Sequence, residues 1–191
     1  MRPIYSVVAA VATLLGAAAV DNQNSGSPLA IQIASAQRVV PVTLEEMVTD
    51  SEKIFSGICT KIEEFKKDPK AKVSSIEFTF KIAEGLKGIM GGETKFKQYN
   101  GKEIRIPGYN VGEKYILFLS APSPNSGLTA PVGLQQGCLS VYKKDGQKGE
   151  FINYKGNEIK YEDFRNTIQD IVAINEALKQ DLMDKQKKDK K

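Results

Sequence analysis

The chain has no histidine and no tryptophan, and only two cysteines in 191 residues. Each shortage closes a class of chemistry. Without histidine there is no Ser-His-Asp triad, no Cys-His nucleophile pair and no histidine-bound zinc. Two distant cysteines, Cys59 and Cys138, cannot form a structural zinc site by themselves. The stretch GLKGIMGGETK is rich in glycine but lacks the Gly-Lys-Ser/Thr order of a phosphate loop, so it reads as a connection. No EF-hand loop is present. The acid pairs Glu45-Glu46 and Glu63-Glu64 are too ordinary to mark a site, since neighbours on a strand point to opposite faces. A Ser/Lys dyad has its residue types but no motif. These shortages argue against an enzyme, and no cofactor, catalytic residue or metal ligand set is expected.

Charge is also in short supply outside one segment. The formal net charge is +4, and Lys179 to Lys191 supplies three of those units with six lysines against three aspartates. The body is therefore nearly neutral. A lysine-rich end reads first as a solvated terminus; a contact with an anionic surface is the sharper alternative. Hydrophobic content of 41% and charged content of 26% describe a globular chain with a soluble surface. Its length suits one domain with additions.

The N-terminus carries Arg2 and then an uncharged apolar run from Ile4 to Val20, followed by polar and small residues. That order is a signal peptide's. Ala34-Ser35-Ala36 is the better A-x-A match, with cleavage after Ala36; Ala17-Ala18-Ala19 offers an earlier site. The alternative is a retained anchor, for which about 17 alanine-rich residues lie near the lower limit. The expectation is a secreted or periplasmic protein without stable membrane insertion once the leader is removed. In an oxidising compartment two cysteines pair more often than not, so a Cys59–Cys138 disulfide is the leading candidate, ahead of two buried free thiols and a functional cysteine. A bridge closing about 79 residues contributes on the order of 3–4 kcal/mol in the chain-entropy model.

Thr43 and Glu46 have capping-box spacing, so a short helix is expected from about 43 to 51. KIFSGICTKIEEF, from Lys53 to Phe65, reads as a strand. Its isoleucines 54, 58 and 62 fall on one face, Cys59 lies off that face, and Gly57 marks a bend or bulge. Asp68-Pro69 is turn chemistry. In VSSIEFTFKIAE, Ile76, Phe78, Phe80 and Ile82 alternate with polar residues, the pattern of a half-buried strand. Asn100-Gly101 signals a hairpin ended by Pro107-Gly108. Tyr115 to Leu119 is apolar on both faces, as in a covered central strand. Ala121 to Gly133 is a long Pro/Ser/Gly loop. A last hairpin is expected around Asp145-Gly146, with Leu139 and Val141 on one face and Cys138 on the other. From Tyr161 to about Gln186, Tyr161, Phe164, Ile168, Ile171, Leu178 and Leu182 form one helical stripe with Asn175 inside it. The stripe packs on the body or, as the sharper option, pairs with another copy.

The expected fold is mainly β: a small OB-like β-barrel, closed or partly open, with a short N-terminal helix and a C-terminal amphipathic helix. The expected divisions are a leader over 1–36, a barrel over 37–160, and a helix with basic tail over 161–191. The segments TLEEMVTDSEKIFSGICTKIE, FTFKIAEGLKG, GEKYILFLS and GLQQGCLSVY resemble a pattern in bacterial exported proteins of unknown role, whose barrel is similar to that of the tissue-inhibitor-of-metalloproteinases and netrin-like modules. The resemblance spans about residues 43 to 145 and concerns fold. Those inhibitors chelate zinc with an N-terminal cysteine, and neither plausible mature N-terminus here is cysteine, so that mechanism does not carry over. The expected function is an exported, non-enzymatic binding module with a protein partner. The alternative is an inhibitor or regulator of an extracellular protease. Export argues against nucleic acid as a ligand, and the sequence sets no oligomeric state.

Overall fold

The computed structural model describes residues 40–67, 70, 72–100 and 108–188. The leader, the Asp68-Pro69 turn, the second half of the Asn100-Gly101 hairpin and the last three residues of the tail lie outside the described residues.

Helix α1, Leu44–Asp50, begins on the expected capping box. The Thr43 hydroxyl accepts from the Glu46 amide at 3.1 Å, and the Glu46 carboxylate accepts from the Thr43 amide at 2.8 Å. Its far end has no basic residue of its own. Lys87, arriving from a strand, donates to the carbonyls of Val48 and Thr49 and supplies the positive charge that a helix C-terminus favours.

Seven strands follow: β1 Lys53–Phe65, β2 Ser75–Lys87, β3 Gly92–Tyr99, β4 Lys114–Leu119, β5 Cys138–Tyr142, β6 Phe151–Tyr154 and β7 Asn157–Lys160. They make one antiparallel sheet in the order β3-β2-β1-β4-β5-β6-β7. Helix α2, Tyr161–Lys188, leaves directly from β7. The sheet is open, and the strands do not close into a barrel. The architecture is mixed α/β, with α1 and α2 packed on one face of the sheet. What crosses the gap between β3 and β4 is the Ala121–Gly133 loop, through single bridges of Leu128 to Lys97 and Pro131 to Leu119.

Both faces of the sheet are cores. On the helix side Met47, Val48, Ile54, Leu86, Ile116, Phe118, Val141 and Ile152 meet Tyr161, Phe164 and Ile168. On the other side Phe55, Cys59, Phe78, Phe80, Tyr109, Tyr115, Leu117 and Leu119 pack together. β4 serves both, with Ile116 and Phe118 on one side and Tyr115, Leu117 and Leu119 on the other, as its two apolar faces require.

The single isoleucine face expected for β1 is not formed. Register shifts interrupt the β1–β2 pairing at Ile54/Phe55, Ser56/Gly57 and Cys59/Lys61. An extra residue in a strand moves everything beyond it to the opposite face. After the last shift Ile62 pairs with Phe78 and joins the aromatic side, next in line after Cys59. Ile54 is fully buried, while Ile58 and Ile62 are 38% and 36% exposed. The shifts also carry Gly85–Lys87 into β2, where the sequence reads as a connection, and Leu86 turns to the helix side.

Gly57 sits at one of these shifts because nothing larger fits. A Cβ there would stand 2.8 Å from the Lys81 carbonyl oxygen of the adjacent strand. Gly57→Ala is expected to destabilise the protein by roughly 1–3 kcal/mol by forcing the central strand pair apart, read as a lower urea midpoint at unchanged slope. An unchanged midpoint would show that β1 and β2 separate freely at that point.

Candidate functional site

Polar side chains gather in three places, and each decides what chemistry the molecule can carry.

The first lies under α2. Ser56 on β1 and Glu84 on β2 are directly paired residues on the helix face. Tyr161, the first residue of α2, brings its hydroxyl to 2.8 Å from Ser56 Oγ and 2.9 Å from Glu84 Oε2. Arg165, one turn on, stands 3.8 Å from the other Glu84 oxygen. Lys114 Nζ lies 4.5 Å over the Tyr161 ring and bonds Glu150 at 2.6 Å. A serine, a tyrosine, a glutamate and a lysine within reach of one another look like acid–base machinery. Ser56 is 0% exposed, and burial pushes the Tyr161 hydroxyl up to about 12, so it stays protonated at neutral pH, while the Glu84 and Lys114 side chains stay partly exposed. The cluster is a lock that seats the first turn of α2 on the sheet.

The second lies in the aromatic core. Tyr109 reaches in from the segment before β4 and packs edge-on against Phe78, Phe80 and Tyr115, with ring centroids 4.6, 5.4 and 5.3 Å away. Gln98 on β3 donates to its hydroxyl at 3.2 Å, and the Gln98 Oε1 atom has no hydrogen-bond partner among the described residues. Tyr115 donates to Glu113 at 2.6 Å and accepts from the Asn110 amide at 2.9 Å. The Tyr115 bond, helped by the Asn110 side chain, lowers the pKa of the Glu113 carboxyl. Neither Tyr109 nor Gln98 stands out in the sequence. Tyr109 follows a Pro-Gly break, and Gln98 is one polar residue in a strand of alternating lysines.

Cys59 and Cys138 both border this core, and both are free thiols. The expected bridge is not formed, and the topology explains why. β4 lies between β1 and β5, so Cα atoms on those strands stand two strand spacings apart, about 10 Å. Cys59 is level with Glu113, and Cys138 is level with Leu117, which adds a further offset along the strands. A disulfide spans no more than about 7 Å between Cα atoms. Burial raises the thiol of Cys59 and pushes that of Cys138 up to about 12, against a weaker opposing pull from the Tyr109 hydroxyl. A thiol so shifted carries almost no thiolate at neutral pH and is a poor nucleophile.

The third place is the surface. A shallow groove of about 570 Å³ runs past Ile58, Lys114, Tyr142, Lys143 and Glu150. Its two lysines, Lys114 and Lys143, are balanced by Glu113 and Glu150, and Ser140 lines it too. Above the gap between β3 and β4, the Ala121–Gly133 loop is tied at many points. Thr129 N donates to Lys97 O at 2.8 Å, Ser120 N to Ala130 O at 3.0 Å and Val132 N to Phe118 O at 2.8 Å, while the Thr129 hydroxyl donates to Ser120 O at 2.6 Å. Two further bonds, Ser123 N to Leu128 O and Gly127 N to Ser123 O, fold the loop onto itself. Ala121, Pro122, Pro124 and Asn125 remain exposed on it. Among the described residues no three His, Cys, Asp or Glu side chains are grouped to hold a metal, and no helix is long and apolar enough to cross a membrane.

No model of a protein family matches this chain, and no curated protein matches it.

Two measurements check the site. Native protein at pH 8 without reductant should react with a thiol reagent slowly or not at all, and give two thiols once unfolded in guanidinium. Recovery of fewer than two thiols from the unfolded protein would mean that the cysteines are bridged after all. Stability should fall on the alkaline side. A folded-state pKa raised above the unfolded value favours folding below the unfolded pKa and loses that contribution as pH climbs through the folded one. Cys138 rises from 9.0 and Tyr161 from 10.0, each to about 12. Tm should therefore decline between about pH 9 and pH 12, and less steeply in Tyr161→Phe. Equal slopes would show that the Tyr161 hydroxyl is no part of the effect.

Proposed function

We propose that this chain is an exported, non-enzymatic binding module that engages another protein through the Ala121–Gly133 loop. The observation that carries this reading is the manner in which that loop is held. It has no regular structure, yet its second limb, from Leu128 to Val132, is bonded to β3 and β4, and its first limb is bonded to the loop itself through Ser123. A loop fixed before contact loses little conformational entropy on binding, so its surface converts more of the contact energy into affinity. Conserving such a shape costs a chain many specific hydrogen bonds, which a simple linker would not need.

The remaining chemistry fits the same reading. Its thiols stay protonated at neutral pH, Ser56 is buried beneath Tyr161, and its groove is charge-neutral. The winding of β1, β2, β3 and β4, with the loop between the last two, is in keeping with an OB-like half-barrel. The apolar leader Ile4 to Val20 supports export. A second reading uses the same loop differently: the exposed Pro122 and Pro124 and a bonded base suit a segment inserted into the cleft of an extracellular protease.

Alanine replacement of Pro122, Pro124 and Asn125 together should abolish capture of the partner recovered with the wild-type protein, with Tm unchanged. Full retention of that partner would move the contact elsewhere. Inhibition of secreted metalloproteases or serine proteases by the wild type, lost in the triple variant, would favour the inhibitor. Release of the full-length chain from cytosolic extract, with its N-terminus intact, would remove the basis for export.

A further inference from the structure

We infer that the outer edge of β3, over Gly92 to Phe96, takes an extended acidic segment of a partner protein as an added strand, with one carboxylate seated beneath the Ala121–Gly133 loop. The inference rests on the reading of that loop as a docking surface, and it gives the chemistry of what docks there.

β3 is a terminal strand, paired with β2 on one edge. Among the described residues its other edge is met at one point. The Lys97 carbonyl accepts from the Thr129 amide at 2.8 Å, and Leu128 bridges Lys97 in parallel. Lys97 therefore turns its backbone groups outward. In a strand these groups point to one edge and the other by turns. Lys95 and Glu93 accordingly face outward too, while Thr94 and Phe96 face β2. Asn100 fits the same alternation, since its amide donates to the Ser74 carbonyl on the β2 side at 2.9 Å. The loop follows β3 no further. It turns back at Gly127, whose amide donates to the Ser123 carbonyl at 2.7 Å. The outward N–H and C=O of Lys95 thus have no partner among the described residues. A donor and an acceptor set side by side on a strand edge are half of a β ladder. An extended chain completes it, and a free anion leaves the carbonyl unmet.

A small pocket opens beside this stretch. It encloses about 80 Å³ between Thr94, Lys95 and Phe96 of β3, Lys53 and Leu119 across the gap, and the loop above. That volume suits one short side chain. Lys53 and Lys95 line it, and no acid does. Lys53 meets Glu52 at 3.9 Å, between side chains 37% and 45% exposed, a contact too long and too wet to hold the ammonium in place. The loop's donors around the pocket are already engaged: the amides of Ser120, Gly127 and Thr129 and the Thr129 hydroxyl all bond within the chain. The Lys53 ammonium, the Thr94 hydroxyl and the Lys95 amide are left to face an incoming acceptor.

Strand alternation puts both requirements on one chain. The residue opposite Lys95 exchanges main-chain bonds with it, and its neighbour opposite Thr94 points to the pocket side of the sheet. A carboxylate at that neighbour meets Lys53. A second copy of this chain does not fit the same slot. Paired edge to edge, its β3 would bring Gly92, Thr94 and Phe96 to the pocket side, and none of these is acidic.

Fluorescence anisotropy of a labelled peptide, acetyl-Thr-Val-Glu-Val-Thr-amide, against the full chain at low salt tests this. Binding should saturate below about 1 mM. The peptide with glutamine in place of glutamate should bind roughly fivefold more weakly, and a version N-methylated throughout should not bind. Lys53→Gln should lose the preference for glutamate and keep its Tm. Lys95→Pro removes an outward N–H, where an edge strand tolerates proline, and should lose both peptides. No saturation by 1 mM, equal affinity for the two peptides, or binding that survives N-methylation would overturn the proposal. Full displacement by an equal concentration of N-acetylglutamate would also overturn it, because the pocket would then be a site for small carboxylates. Partner capture separates this proposal from the reading on which it rests. If the partner is lost from the loop variant but kept by Lys53→Gln and Lys95→Pro, the loop docks the partner and β3 does not.

Discussion

From Tyr115 to Leu119 every side chain is buried, the odd positions on one side of the sheet and the even positions on the other. A strand with no polar face must be covered twice, and it must lie between other strands so that its backbone is bonded on both edges. β1 and β5 supply those edges. One cover is helical, and α1 and α2 fill it. The other cover is made from the sheet's own outer strands, from Tyr109 and from the loop that spans β3 and β4. The two cores, the bulges that steer residues between them and the tethering of the loop all follow from burying those five residues.

Much of this is legible in the chain. The capping box at Thr43 and Glu46, the two-faced apolar run of β4, the alternation of β2 and the stripe of α2 each announce an element through local chemistry. The failures share a cause. The isoleucine spacing in β1 is a period-two pattern, and it holds only while the register is unbroken. A shift between Cys59 and Lys61 depends on the partner strand, so no local pattern reveals it. The disulfide failed for a related reason: both cysteines were correctly placed off the aliphatic faces of their own strands, but the strand between them is a property of topology. Gln98 and Tyr109 carry no local signal, because their contact joins an edge strand to the segment before β4 and no shared periodicity links the two. The stripe of α2 is continuous in the sequence, yet only its first half meets the body.

The polar clusters show how closely a structural lock can imitate a catalytic constellation. Ser56, Tyr161 and Glu84 are connected by short hydrogen bonds beside a lysine, and the same set around an open cleft would invite a mechanism. What separates the two cases is water. Burial keeps the hydroxyl and the thiols in their protonated forms, and the same bonds contribute rigidity at the root of α2.

An open sheet leaves two terminal strands, and their treatment bears on how the chain behaves when crowded. β7 is four residues long with a lysine at its end, and β3 is crossed at Lys97 by the Thr129 amide. A fibril grows by adding strands to a long, flat, unblocked border. One border here is too short to template such growth, and the other is interrupted by the chain's own loop, so cutting that loop should expose the protein to aggregation before it costs the protein its fold.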